Sequence, residues 1–229
     1  MTDGWPAALR GVTESVVATR GPEGRWNVAA LGLHAPDDGE ANGGRTDGSD
    51  AADDDPGDRE RGSDEAGRDG DGAAAVTAVT WGDTRTRRNF AREGGGVVQF
   101  PTDPRDFVEA ALSIVEREEP VLDSAAAWAR IDVERVATGE EGGTRWRRWR
   151  LTPVEHGVRE ERVPTINRGF NAVIDATVAA SRLDVPAYDT ATLLDRLEYF
   201  ASVVESCGGP AEREAFARVD GHAGWRDRR

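Results

Sequence analysis

Val12-Thr13-Glu14-Ser15-Val16-Val17-Ala18-Thr19, Gly21-Pro22-Glu23-Gly24 and Trp26-Asn27-Val28-Ala29-Ala30-Leu31-Gly32-Leu33 form the stretch on which the fold turns. The first run is rich in β-branched residues, the second holds the turn residues a hairpin wants, and the third reads as the return strand. A β-hairpin therefore opens the ordered part of the chain. The run from Asn27 through Ala29, Ala30, Leu31 and Gly32 is built mostly of small residues, which let a flat ligand come close to the backbone. Small residues equally serve close packing, so the signal alone is weak.

Downstream, Ala75 to Trp81 is strand-like, and Asp83 or Thr84 caps a short helix running to about Ala91. Gly94-Gly95-Gly96 is expected to end that helix before a strand over Val97 to Phe100. Pro104 to Val115 reads as a second helix, with Phe107, Ala110, Ala111 and Ile114 on one face. A second hairpin is expected from about Trp128 to Val136 and from Thr144 to Thr152, turning within Gly139 to Gly143. Five or six strands with a few short helices make a small barrel. After residue 159 the period becomes helical. Thr165 or Asn167 starts a helix with Phe170, Val173, Ile174, Val178 and Ser181 on its apolar face, and Pro186 stops it. Asp189 or Thr190 starts another, which Gly208-Gly209-Pro210 ends before a short third. The fold class expected is mainly β with α (α+β): a small barrel over 1–36 and 73–158, a helical domain over 159–218, and a flexible tail over 219–229.

Charge separates the remaining segment. The chain has 229 residues, a formal charge of −14, and no lysine among its 29 basic residues. Residues 37–72 hold 14 acids, 4 arginines and 9 glycines, and lack Val, Ile, Leu, Met, Phe, Trp and Tyr. Such a segment cannot bury enough apolar surface to offset its ordering entropy, so it reads as a disordered acidic insertion. Together with the missing lysine, it fits a salty cytoplasm, where acidic surfaces stay dispersed; GC-rich coding is the blander explanation. An acidic chain is a poor ligand for phosphate backbones, so no nucleic-acid partner is expected. Arg145-Trp146-Arg147-Arg148-Trp149-Arg150 does not change this, because a strand splits the run over two faces. No stretch approaches the roughly 20 apolar residues of a membrane span. The first residues lack a basic head and apolar run, and a cytoplasmic location is expected.

Known catalytic motifs are missing. There is no P-loop, GxGxxG, HExxH or GxSxG pattern. His34, His156 and His222 show no ligand spacing, and Cys207 is the single cysteine, so no metal site is expected. One segment carries more: Thr84-Arg85-Thr86-Arg87-Arg88-Asn89, at a helix start after a strand, gathers N–H groups, hydroxyls, an amide and guanidinium groups that suit an anion. A plain solvent-facing capped helix explains that segment equally well.

Taken together, Thr13 to Thr19, Gly24, Asn27 to Leu33, Thr84 to Phe90, and Asn167-Arg168-Gly169-Phe170 resemble an archaeal domain family of unknown function, numbered 447. The likeness spans nearly all of the chain outside 37–72 and the last ten or so residues. The family pattern has Asn-Ala-Ala-Pro in the return strand, and here Ala30 stands in the Pro position. The resemblance implies a flavin-reductase-like split β-barrel that binds FMN at the interface of a homodimer. It implies a ring lying along Asn27, Ala29, Ala30, Leu31 and Gly32, with Thr19 alongside, and a phosphate held by Thr84, Thr86, Arg87 and Asn89. Asn167 and Arg168 are placed within reach of the cofactor of either subunit. The leading function is then an FMN-dependent oxidoreductase using a reduced nicotinamide or small-molecule acceptor; its rivals are an FMN carrier or sensor without turnover and a flavin-free dimeric interaction module.

Overall fold

The computed structural model describes residues 4–36, 75–163 and 165–228. The expected acidic insertion, 37–72, lies outside them. Strands β1 (Val12–Arg20) and β2 (Trp26–His34) pair antiparallel along their whole length, with Val12 opposite His34 and Arg20 opposite Trp26. Their turn is closed by the Gly21 N–H donating to the Arg25 carbonyl at 2.7 Å, and Gly24 sits at φ +83°, where a side chain would be strained. Strand β3 (Thr77–Trp81), helix α1 (Arg85–Glu93), strand β4 (Gly95–Pro101), helix α2 (Pro104–Leu112) and the short β5 (Val115–Arg117) follow. The long β6 (Ala125–Glu141) and β7 (Thr144–Val158) complete the sheet. Its order is β1-β4-β6-β7-β3-β2, and β2 returns to β1, so six antiparallel strands close on themselves. Closure leaves no long free edge; β5 adds only three residues to the outside of β2.

Ser15 through Thr19 are all fully buried because β1 is covered on both sides. Val17 faces the barrel interior with Leu31, Leu33, Val98, Ile131, Trp149 and Leu151. Val16 and Ala18 face outward, against Phe107 and Ala110 of α2. Phe90 of α1 closes the interior, its ring 5.4 Å from that of Trp149 in an edge-on contact.

Several boundaries depart from expectation. Gly94 ends α1 in the left-handed region at φ +67°, but Gly95 and Gly96 belong to β4. A Cβ on Gly95 would stand 2.7 Å from the Ile131 carbonyl oxygen, and one on Gly96 2.9 Å from that of Ala18. Those glycines let three strands approach, and helix termination needs only the first. α2 stops at Leu112, because Ser113 turns extended and leads into β5; Ile114, expected on its apolar face, is 70% exposed. The second hairpin is longer than read. Its turn is only Gly142-Gly143, at φ +54° and +77°, the pair of positive angles a two-residue hairpin requires. Beyond Asp132, β6 leaves β4 and pairs with β7 alone, while β7 stays paired with β3 as far as Trp146, so only the end of this ribbon, from Glu140 to Arg145, projects as two strands.

Helices α3 (Arg168–Ser181), α4 (Thr190–Cys207) and α5 (Pro210–Ala223) build a second core around Val173, Leu197, Phe216, Val219 and Trp225. Val108 of α2 belongs to that core as well, so the barrel's own helix is the fourth member of the bundle. Ion pairs fasten the seam: Arg105 to Glu214 at 2.8 Å, and Arg218 to Glu109 at 3.2 Å. The buried face of α3 is Ala172, Val173, Ala176, Ala179 and Ala180, while Val178 and Ser181 of the expected face turn outward. Small residues win there because α3 packs against three helices at once; a Cβ on Gly169 would come within 2.5 Å of the Gly208 Cα. The expected flexible tail is also revised. α5 continues to Ala223, and a 3-10 turn over Trp225–Arg228 places Trp225, 2% exposed, in the bundle core.

Candidate functional site

The barrel mouth beside α1 is where the expected residues meet. Thr84 caps α1, its hydroxyl accepting from the Arg87 N–H at 3.2 Å, a contact worth about 1 kcal/mol. Thr86 and Phe90 anchor the helix on the barrel. At 100° per residue this anchoring turns Arg85, Arg88, Asn89 and Arg92 to one side. They face a hollow of about 520 Å³ whose other walls are Gly21, Pro22 and Glu23 of the turn, Arg25, Asn27 and Glu116.

Buried amides floor this hollow. The Asn89 Nδ2 donates to the Thr19 hydroxyl at 3.0 Å, and its Oδ1 accepts from Arg92 Nη2 at 2.9 Å. Asn27 is 6% exposed and lines the hollow, yet its side chain makes no hydrogen bond among the described residues. A buried amide left this way offers donor and acceptor to whatever enters. Four guanidinium groups against the carboxylates of Glu23 and Glu116 give the walls a net charge of +2, in a chain of −14. Arg85 pairs with Glu116 at 2.5 Å, Arg88 with Asp83 at 3.1 Å, and Arg92 with Glu93 at 2.7 Å.

Of the residues read from the sequence, Thr19, Asn27 and Asn89 are brought together here. Thr84 and Thr86 stand at the start of the same helix. Arg87 lies on its other flank, ion-paired with Asp83, with its Nε buried and without a hydrogen-bond partner. Burial, then Arg147 and Arg88 nearby, lowers its pKa from the usual guanidinium value. Ala29 and Ala30 are half-buried along β2, and Leu31 is 6% exposed among the interior residues. Gly32 lets Val12 close in, its absent Cβ standing 3.2 Å from Val12 Cγ1. Asn167 is occupied within the bundle: its Oδ1 caps α3 by accepting from Gly169 N–H at 2.8 Å, and its amide donates to Glu212. Arg168 beside it is exposed and forms no side-chain contact among the described residues. Phe170, two residues on, lines a separate hollow with Glu14 and Pro101, at the opposite ends of β1 and β4 from Thr19 and Gly96.

Arg25, Arg92 and Glu116 escaped the sequence reading, and Arg85 and Arg88, though within the anion-suited segment, were not among the residues the resemblance gave to the phosphate. The spacing of 85, 88 and 92 was a usable signal, since it marks one helix face. Arg25 and Glu116 had none, because only the pairing of β5 with β2 brings them there. Larger hollows lie between α4 and α5 (about 640 Å³) and along the ribbon (about 700 Å³), and neither is lined by any expected site residue. Among the described residues no cluster of His, Cys, Asp and Glu is arranged to hold a metal, and no helix is long and apolar enough to cross a membrane.

Six closed antiparallel strands, helices stacked on one flank and a polar hollow at the mouth define a split β-barrel protein. Family models for the N-terminal and C-terminal domains of proteins of unknown function 447 (DUF447) match residues 70–160 and 167–220, and the chain belongs to that family. Its structure is similar to that of an FMN-bound DUF447 protein from Methanosarcina mazei, at 22% identity and a TM-score of 0.66, covering 93% of this chain and 96% of that one. The same comparison finds the styrene monooxygenase flavin reductase of Pseudomonas putida S12 (12% identity, 65% and 79% coverage, TM-score 0.33). It also finds a flavoredoxin from Methanosarcina acetivorans (11% identity, 70% and 78% coverage, TM-score 0.36). Those two are too distant to carry an argument. No curated protein matches the chain.

Proposed function

We propose that this protein binds FMN and acts as a flavin-dependent oxidoreductase. The observation that carries the reading is the mouth hollow itself: a positively charged rim over buried amides, at the end of a strand of small residues. FMN is a flat ring joined to a dianionic phosphate, and the two halves of the site suit its two halves. Asn27, with the half-buried Ala29 and Ala30 following it on β2, offers the ring a close backbone approach, whereas Leu31 lies in the barrel interior and Gly32 is closed off by Val12. The N-terminal N–H groups of α1, with Thr84 at its cap and Asn89 on the wall of the hollow, suit the phosphate, while Thr86 is buried against the barrel and takes no part. Arg85 and Arg88, which face the hollow, take the charge-neutralising part that the resemblance implied for Arg87. The M. mazei relative being FMN-bound supports the same cofactor for this chain.

When bound, FMN supplies hydride transfer between a reduced nicotinamide and a small-molecule acceptor. The chain's part is to bind, orient and shield, so the absence of a nucleophile–base pair in the walls fits this chemistry. A homodimer belongs to the reading. Val163 and Ile166 are 87% and 92% exposed just before α3, and a second copy covers such side chains while bringing Arg168 to a cofactor.

The test is the visible spectrum after adding FMN and desalting, followed by addition of NADH or NADPH. Retained flavin bands that bleach on the nicotinamide match the oxidoreductase. Bands that persist unbleached make the protein a carrier or sensor, and a colourless eluate removes the flavin reading.

A further inference from the structure

We infer that Glu116 competes with the ligand's phosphate for Arg85, and so sets how strongly the cleft prefers a phosphorylated flavin over an unphosphorylated one. The inference rests on the proposed reading of this cleft. Its basis is where each arginine finds its counter-charge. Arg88 and Arg92 are paired with Asp83 and Glu93, and neither acid lines the hollow. Arg85 alone of these three is neutralised from inside, by a carboxylate that is itself part of the wall.

Backbone pairing puts Glu116 there. β5 is three residues long and pairs with β2 alone, in a register that sets Glu116 directly opposite Asn27. Arg25 secures the strand from the same side, its Nη2 donating to the Glu116 carbonyl at 3.1 Å. The carboxylate then meets Arg85 Nη1 at 2.5 Å.

The pair is built to be exchanged. Its side chains are 43% and 41% exposed, so solvent screens their attraction and the contact is weak. A phosphate dianion offers the same guanidinium two charge-assisted contacts and more charge. Binding therefore replaces one carboxylate contact at Arg85 and leaves Glu116 facing the anion, an unfavourable neighbour. A flavin without phosphate makes no claim on Arg85 and is indifferent to Glu116.

The experiment compares wild type with Glu116→Gln, which keeps the side chain's shape and removes its charge. Dissociation constants for FMN and riboflavin come from quenching of flavin fluorescence, and thermal shifts are read with inorganic phosphate. The variant is expected to bind FMN about threefold to fivefold more tightly with riboflavin unchanged, the size expected from releasing one exposed ion pair. It is also expected to gain more stability from phosphate than wild type does. Weaker FMN binding would show that Glu116 positions Arg85, which overturns the inference. Unchanged FMN binding, or an equal change for both flavins, overturns it too. If wild type binds neither flavin, the flavin reading has failed; the phosphate shifts then decide separately whether Glu116 opposes an anion at Arg85.

Discussion

Arg85, Arg87, Arg88 and Arg92 fall within about two turns of α1, and Arg145, Arg147, Arg148 and Arg150 within a single run of β7. Members of each group line a hollow, and the two hollows even carry the same net charge. The ribbon hollow is lined by Arg135, Arg145, Arg147 and Glu140, the mouth by four arginines and two glutamates. What differs is the surface beneath the charge. At the mouth, guanidinium groups ring the buried side chains of Asn27 and Asn89. On the ribbon they ring backbone and the flat of Trp146, which lies against Gly139. Arg145 there is 87% exposed where Arg85 is 43% exposed, so water and salt screen it far more. Helical spacing collects charge on one face, whereas strand alternation spreads it over two. Charge count alone does not separate the two regions; the buried, uncommitted amide of Asn27 does.

The sharpest way to break this comparison is to strip two arginines from each region. Arg85→Ala with Arg88→Ala is expected to weaken FMN binding by about a hundredfold, since two charge-assisted phosphate contacts are lost. Arg145→Ala with Arg147→Ala is expected to leave that affinity within about twofold, as screened surface charges do. Titration by fluorescence quenching reads both, and equal losses would make the ribbon part of the site.

A smaller effect separates the two regions by rigidity. Gly96→Ala forces a Cβ onto the Ala18 carbonyl in the barrel wall and is expected to cost about 2 kcal/mol in denaturant unfolding. Gly139→Ala meets only the half-buried Trp146 ring, which can swing off the ribbon, and is expected to cost less than about 1 kcal/mol. A larger loss at Gly139 would mean that the ribbon is as tightly packed as the barrel. The least effect belongs to the ribbon's ion pairs. Glu134→Ala breaks the 2.9 Å contact with the exposed Arg150 and is expected to change stability by no more than about 0.5 kcal/mol, with FMN affinity unaltered.

Much of the fold was legible in the residues. β1 and β2, the Thr84 cap, the second hairpin and the family resemblance all read through. Where the reading slipped, a distant neighbour had overruled a local preference. Gly95 and Gly96 look like helix terminators until β1 and β6 press against them. Val178 looks like a core residue until three helices demand alanine instead. Trp225 looks like part of a polar tail until the bundle takes it in. At the mouth, the anion-friendly character of the Thr84 to Asn89 segment was visible, but which arginines faced inward was not.

Turns, caps and strand runs were determined by the sequence alone, because their causes act within a few residues: positive φ at glycine, a hydroxyl at a helix start, β-branching. Tertiary structure alone decided the site. Asn89 reaches Thr19 across 70 residues of chain, and Arg85 reaches Glu116 across 31. Contacts of that span arise only when the barrel closes and β5 takes its register on β2. Closure is a cooperative outcome of burying both faces of β1, which no local pattern encodes.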